Sequence, residues 1–137
     1  MTVMTSFFER TGANLHQVCF GGIRKLVAGV ISEIEITAGQ LNQYKADLAE
    51  EAEASVRLEP GVIAIFPMYE EESDTTFRIL EIYADRRAYE SHLTTAHFQK
   101  HKSTTSPMVK SLKLVDMQAI DPETMARIFK KMKVSAE

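Results

Sequence analysis

The chain has 137 residues, of which 45% are hydrophobic and 26% charged, and its formal net charge is −3. That is the size of one domain with enough apolar content for a core, and so small a charge leaves no footprint for nucleic acid or an anionic membrane surface. A single cysteine, Cys19, excludes an intrachain disulfide and makes a reducing compartment the expectation.

The opening residues, MTVMTSFFERTG, lack a basic n-region, and their apolar run is too short for a signal sequence. No stretch reaches the length of a membrane span, so a cytoplasmic protein is expected. Residues 1–23 read as an N-terminal extension with a short helix around Asn14 to Phe20, closed by Gly21-Gly22. From Leu26 to Ile36 the β-branched residues thicken. Val30, Ser32, Ile34 and Ile36 fall on one face and Ile31, Glu33 and Glu35 on the other, which predicts a strand.

A helix is predicted from Thr37-Ala38-Gly39 to Leu58. Leu41, Tyr44, Leu48, Ala52, Ser55 and Val56 form its apolar stripe, with Asp47, Glu50, Glu51 and Glu53 mostly outside it. Glu59-Pro60-Gly61 ends the helix, because proline cannot continue the ladder and glycine permits the turn. Val62–Tyr69 and Thr76–Tyr83, joined by the polar turn 70–75, read as a hairpin. Next comes a helical stretch in two pieces, the first capped by Asp85 and the second opened by Thr94 or Thr95. Ser111 to Ala119 is a last strand. Asp121-Pro122-Glu123 then starts a closing helix with an apolar stripe of Met125, Ile128, Phe129 and Met132.

The order is β-α-β-β-α-β plus a C-terminal helix, an α+β arrangement of the ferredoxin-like type with a four-stranded antiparallel sheet. Pro67 supports it independently. Proline is tolerated on sheet edges, and the second strand of this topology is an edge. Residues 24–121 form the domain, and 122–137 the closing helix and tail. Both faces of the predicted sheet are apolar, as Val62, Ala64, Phe66 and Met68 alternate with Ile63, Ile65 and Tyr69. Helices cover only one face, so a second copy packed on the other, as a symmetric homodimer, is expected. Charge is uneven in the same sense: residues 40–90 hold 12 Asp+Glu against 5 Lys+Arg, and residues 91–137 hold 4 against 8.

Glu59-Pro60-Gly61, a strand ending in Glu81-x-Tyr83, Asp85, His92 and the pair His97-Phe98 together resemble the antibiotic biosynthesis monooxygenase family, which includes quinol monooxygenases. The resemblance spans roughly residues 24 to 121. It implies a dimeric α+β barrel, a pocket between sheet and helices, and oxygenation without metal, flavin or haem. No glycine-rich dinucleotide loop, phosphate loop or cysteine cluster speaks against that absence of cofactor. Without a cofactor the substrate must supply the electrons, as an electron-rich quinol or enol can, with dioxygen as the other reactant. The same base and pocket would also serve an isomerase, or the dimer could bind a small molecule without changing it. Haem-degrading relatives fit less well. Their site uses an asparagine, a tryptophan and a histidine, whereas this chain has no tryptophan and only Asn14 and Asn42.

Within that frame His97, beside Phe98, is the first candidate for a pocket base, since histidine titrates near neutrality. Its alternative role is to order the helix start. His92 is the second candidate, or a residue that positions the turn. Glu81 lies on an apolar strand face with Phe77, Ile79 and Tyr83, so it must find a partner or take a proton. It can orient a histidine or tether Arg86 or Arg87. Tyr83, Phe66, Tyr69 and Phe98 are candidates for an aromatic substrate pocket or for core. His97 and His101, at i and i+4, are a thin basis for a metal, and no metal is expected.

Overall fold

A computed structural model describes residues 28–131. Nine elements follow one another among these residues: β1 (Ala28–Ile36), α1 (Leu41–Leu58), β2 (Val62–Tyr69), β3 (Thr76–Tyr83), α2 (Arg86–His92), α3 (Ala96–Thr105), a 3-10 turn (Ser106–Met108), β4 (Val109–Gln118) and α4 (Pro122–Lys131). The expected N-terminal helix lies outside the described residues, as do Met132 and the side chains of Met125 and Phe129.

The four strands form one antiparallel sheet in the order β2-β3-β1-β4. This is the ferredoxin-like topology the sequence predicts, with β2 on an edge. Pro67 pairs with Ile79 there, where its missing N–H breaks no central ladder. Alternation along β1 is as expected, with Val30, Ser32, Ile34 and Ile36 all buried. Along β2 it is not. A register shift between Val62 and Ala64 inserts one residue, so the buried side chains are Val62 and Ile65 rather than a strictly alternating set.

The core lies between the sheet and the helices. Val30, Ile34, Ile36, Ile65, Phe77, Ile79 and Tyr83 from the strands meet Tyr44, Leu48 and Ala52 of α1 and Tyr89 of α2. Gly39, at φ +85°, is in the left-handed region open to glycine, so residues 37–40 form a turn and the helix starts at Leu41 instead of Thr37. Val56, expected in the apolar stripe of α1, is exposed. Glu51, expected outside it, is buried, because Tyr44, Leu48, Glu51 and Ser55 are spaced by three and four along one helical face.

The second helical stretch is split as predicted. Asp85 accepts from Ala88 N at 2.8 Å, and the cap of α3 is Thr95, whose hydroxyl accepts from Phe98 N at 3.3 Å. On the opposite face of the sheet, Phe66, Met68 and Met117 are exposed at 55%, 42% and 50%. No described helix is long and apolar enough to cross a membrane.

Candidate functional site

Three segments converge where α1 ends. Proline at position 60 stops the helix one residue after Glu59, whose N–H still reaches Ser55 O at 3.0 Å. Gly61 follows, so close to α2 that a Cβ placed there would lie 2.5 Å from Ala88 Cβ. The turn therefore lies close against α2, tied by Ala84 N donating to Gly61 O at 2.8 Å, and the Glu59 carboxylate sits beside the last residue of α2, His92. The chain then breaks between α2 and α3, held by Thr95 Oγ1 donating to His92 O at 2.8 Å. The break carries His97 back toward the same carboxylate. Five residues apart on one continuous helix, the two histidines would diverge.

His92 is 2% exposed and lies between two carboxylates. Its Nδ1 is 2.9 Å from Glu59 Oε1, and its Nε2 is 3.4 Å from Glu51 Oε1. Ser55 Oγ fixes the latter oxygen by donating to it at 2.7 Å. His97 Nε2 hydrogen-bonds Glu59 Oε1 as well, and the two imidazole rings are 6.3 Å apart. Phe98 and Tyr83 pack against His92, with ring centroids at 4.9 and 5.6 Å. His97 is the more open of the pair, at 18% exposure. It contributes to a small cleft of about 40 Å³ between Asp47, Glu50 and Glu51 on α1 and His97, Lys100 and His101 on α3. An exposed ion pair, Lys100 Nζ to Glu50 Oε1 at 2.6 Å, ties the two helices beside it.

Glu81 occupies a different place. It stands on the helix-facing side of β3 and accepts from Ser32 Oγ at 2.5 Å and Tyr83 OH at 2.7 Å. Burial pushes its carboxyl above the usual range, and the two hydroxyl donors partly oppose that. The carboxylate that meets the histidines is Glu59. Tyr83, fully buried, packs edge-on to Tyr89 at 5.2 Å. Burial drives the phenols of Tyr83 and Tyr89 upward, Tyr89 to about 12, so both remain neutral hydroxyls.

The expected aromatic pocket does not assemble within one chain. Phe66 pairs with Leu80 on the outer face, away from Tyr83, while Tyr69 sits at the far end of β2, 6.1 Å from Phe77 and under Lys45 Nζ at 4.3 Å. Of the four candidates, Tyr83 and Phe98 border the histidines. His101, the sequence's other metal candidate, packs near Tyr44 at 6.1 Å, and burial lowers its pKa. Its Nδ1 is buried without a hydrogen-bond partner. Among the described residues, the triad whose donor atoms lie within 4.8 Å of one another is Glu59, His92 and His97.

Glu59 and Glu51 are the residues that sequence reasoning missed. Glu59 is read there as a helix end and as part of the family motif, with no role at the site. Glu51 is signalled by its three-and-four spacing with Tyr44, Leu48 and Ser55, which places a carboxylate on a buried helical face.

Residues 28–104 match the family model described as antibiotic biosynthesis monooxygenase. Among solved structures, a protein from Bacteroides thetaiotaomicron provisionally named an antibiotic biosynthesis monooxygenase is 43% identical, with a TM-score of 0.69 over 71% of this chain and 92% of that one. A similarly named protein from Nitrosomonas europaea is 20% identical, with a TM-score of 0.68 over 74% and 98%. Another from Caulobacter crescentus is 16% identical, with a TM-score of 0.67 over 71% and 92%. Likenesses at these lower identities speak for the fold alone. None of the curated proteins matches the chain.

Proposed function

The chain belongs to the antibiotic biosynthesis monooxygenase family, and from that membership we propose that it oxidises a small, electron-rich aromatic or enolic compound with dioxygen. The observation that carries this reading is His97, part-exposed at a cleft and hydrogen-bonded through Nε2 to the largely buried Glu59. A ring that donates its Nε2–H to a carboxylate keeps a lone pair on Nδ1, and the carboxylate stabilises the imidazolium that forms when Nδ1 takes a proton. His97 is thus the base, Glu59 orients it, and His92 holds Glu59 in place. Glu81 and Tyr83 shape the polar part of the sheet surface beneath, and Phe98 supplies apolar wall.

For a quinol the reaction balances without an added reductant. Deprotonation gives an electron-rich phenolate, which transfers electrons to dioxygen. One oxygen atom enters the ring, the other leaves as water, and the product is a hydroxyquinone. All the electrons come from the substrate, which is why no cofactor is invoked.

We place the active form as a homodimer closed over the outer sheet face, where Phe66, Met68 and Met117 are exposed. The single cysteine favours a cytoplasmic setting for it. Oxygen uptake by metal-stripped protein against a panel of quinols and enols, corrected for autoxidation, tests the activity. Enzyme-dependent uptake that falls in His97→Ala supports the reading. Uptake equal in the His97→Ala and His92→Ala variants to that of the parent protein removes the base. A product isomeric with its substrate, formed without oxygen consumption, replaces oxygenation by isomerisation.

A further inference from the structure

We propose that Glu59, His92 and His97 also form a binding site for a divalent first-row transition metal, of which zinc is the type. Their donor atoms, one carboxylate oxygen and two imidazole nitrogens, lie within 4.8 Å of one another. Ligands held at about 2.0–2.2 Å from a tetrahedral ion are roughly 3–3.5 Å apart, so small side-chain movements suffice. The set mixes nitrogen with a single carboxylate, which suits zinc, cobalt or iron and not the oxygen-rich shells of calcium and magnesium.

The surroundings of His92 are a second, independent observation. A metal-ligating histidine ordinarily donates its remaining ring N–H to a carboxylate that fixes the tautomer. His92 directs Nδ1 at Glu59, and its Nε2 lies 3.4 Å from Glu51 Oε1, an oxygen already held by Ser55. Glu51 is 6% exposed, so a buried carboxylate is kept on the far side of the ring. Three protein ligands leave a fourth position open, and His97 itself borders the cleft between α1 and α3.

This site goes beyond the oxygenation reading and interacts with it. A metal on His97 Nε2 forces the ring proton to Nδ1 and removes the lone pair that would accept the substrate proton. Metal and substrate proton are therefore alternatives at the same ring, and zinc is expected to inhibit turnover.

The test is calorimetric titration of untagged, metal-stripped protein with Zn²⁺, paralleled by visible absorption on adding Co²⁺. The expected result is saturable binding of one ion per chain. Glu59→Gln and His97→Ala should each weaken it at least tenfold, and His101→Ala should leave it unchanged. Far-UV circular dichroism establishes that each variant is folded. Should either ligand variant fail to fold, Glu51→Gln decides in its place, with affinity expected to fall by about 10–100-fold. Absence of saturable binding to the folded parent protein overturns the proposal. So does binding that survives the ligand variants, that survives Glu51→Gln at full strength, or that disappears in His101→Ala. Titrations need no substrate and uptake is measured under chelation, so either reading can fail alone.

Discussion

His92 and His97 meet on one oxygen atom, Glu59 Oε1, although they belong to different helices and Glu59 to a third segment more than thirty residues earlier. The meeting depends on two interruptions. Pro60 ends α1 at Glu59, and the Thr95-capped break separates α2 from α3. Replacing Glu59 by glutamine keeps the volume but removes the charge that both rings address. The amide keeps one acceptor oxygen but loses the charge-assisted bonds to two imidazoles, at a cost of about 1–3 kcal/mol, which urea unfolding would register. Oxygen uptake should drop by roughly a hundredfold or more, the usual size of a general-base contribution. A variant as stable and as active as the parent would leave Glu59 with no role at the site.

The missing side chain at Gly61 lets that turn lie against Ala88 of α2. Gly61→Ala puts two methyl carbons at 2.5 Å, with no flexible side-chain end to move aside. The helix or the turn must shift, at an expected cost of about 1–3 kcal/mol. Adding Ala88→Gly opens the space again. The double variant should therefore be more stable than the sum of the two single changes, a coupling measurable by thermal or urea unfolding. Strict additivity would mean that Ala88 does not limit what position 61 can carry.

Much of this architecture is legible in the sequence because it rests on local signals. Alternation in β1, Asp85 as a cap and Pro67 on an edge strand each have one dominant physical cause. The bulge at Val62/Ala64 gives no such signal, since every residue of β2 from Val62 to Phe66 is apolar and either register looks acceptable. The site is harder still. His92 and His97 stand out by type, but Glu59 is far away in sequence, and its helix-ending neighbours give it a sufficient structural explanation. Glu81 draws attention as a charge on an apolar strand face, yet its partners, Ser32 on β1 and Tyr83 on its own strand, are on the sheet itself. Which carboxylate meets which histidine is a tertiary fact, and periodicity does not encode it.

Glu81 makes a prediction about pH. Burial raises its carboxyl above the ordinary glutamate value of 4.5 in the folded protein, so the folded state holds this proton more tightly than the unfolded state does. Stability from this group is fully present below about pH 4.5 and is lost as pH rises through the elevated folded value. Glutamine at position 81 is neutral throughout. Urea unfolding of Glu81→Gln between pH 4.5 and 8 should therefore show a smaller decline with pH than the parent protein. Parallel curves for the two proteins would mean that the hydroxyls of Ser32 and Tyr83 fully offset the burial.

Phe66 tests the assembly. It projects from the outer face of β2, 55% exposed, and Met68 on the same strand and Met117 of β4 are also exposed. In a homodimer closed over this face these side chains are removed from water, and a carboxylate at position 66 would be buried against the partner without a counter-charge. Phe66→Glu should weaken dimerisation by at least about tenfold while leaving the chain's own fold intact, because the side chain takes no part in the core on the helix side. Native mass spectrometry or sedimentation at graded concentrations reads the oligomeric state, and circular dichroism reads the fold. A parent protein that is monomeric at high micromolar concentration would refute the assembly directly. A dimer that tolerates Phe66→Glu would mean that the second copy packs elsewhere, and the outer face would need a different explanation for its exposed apolar side chains.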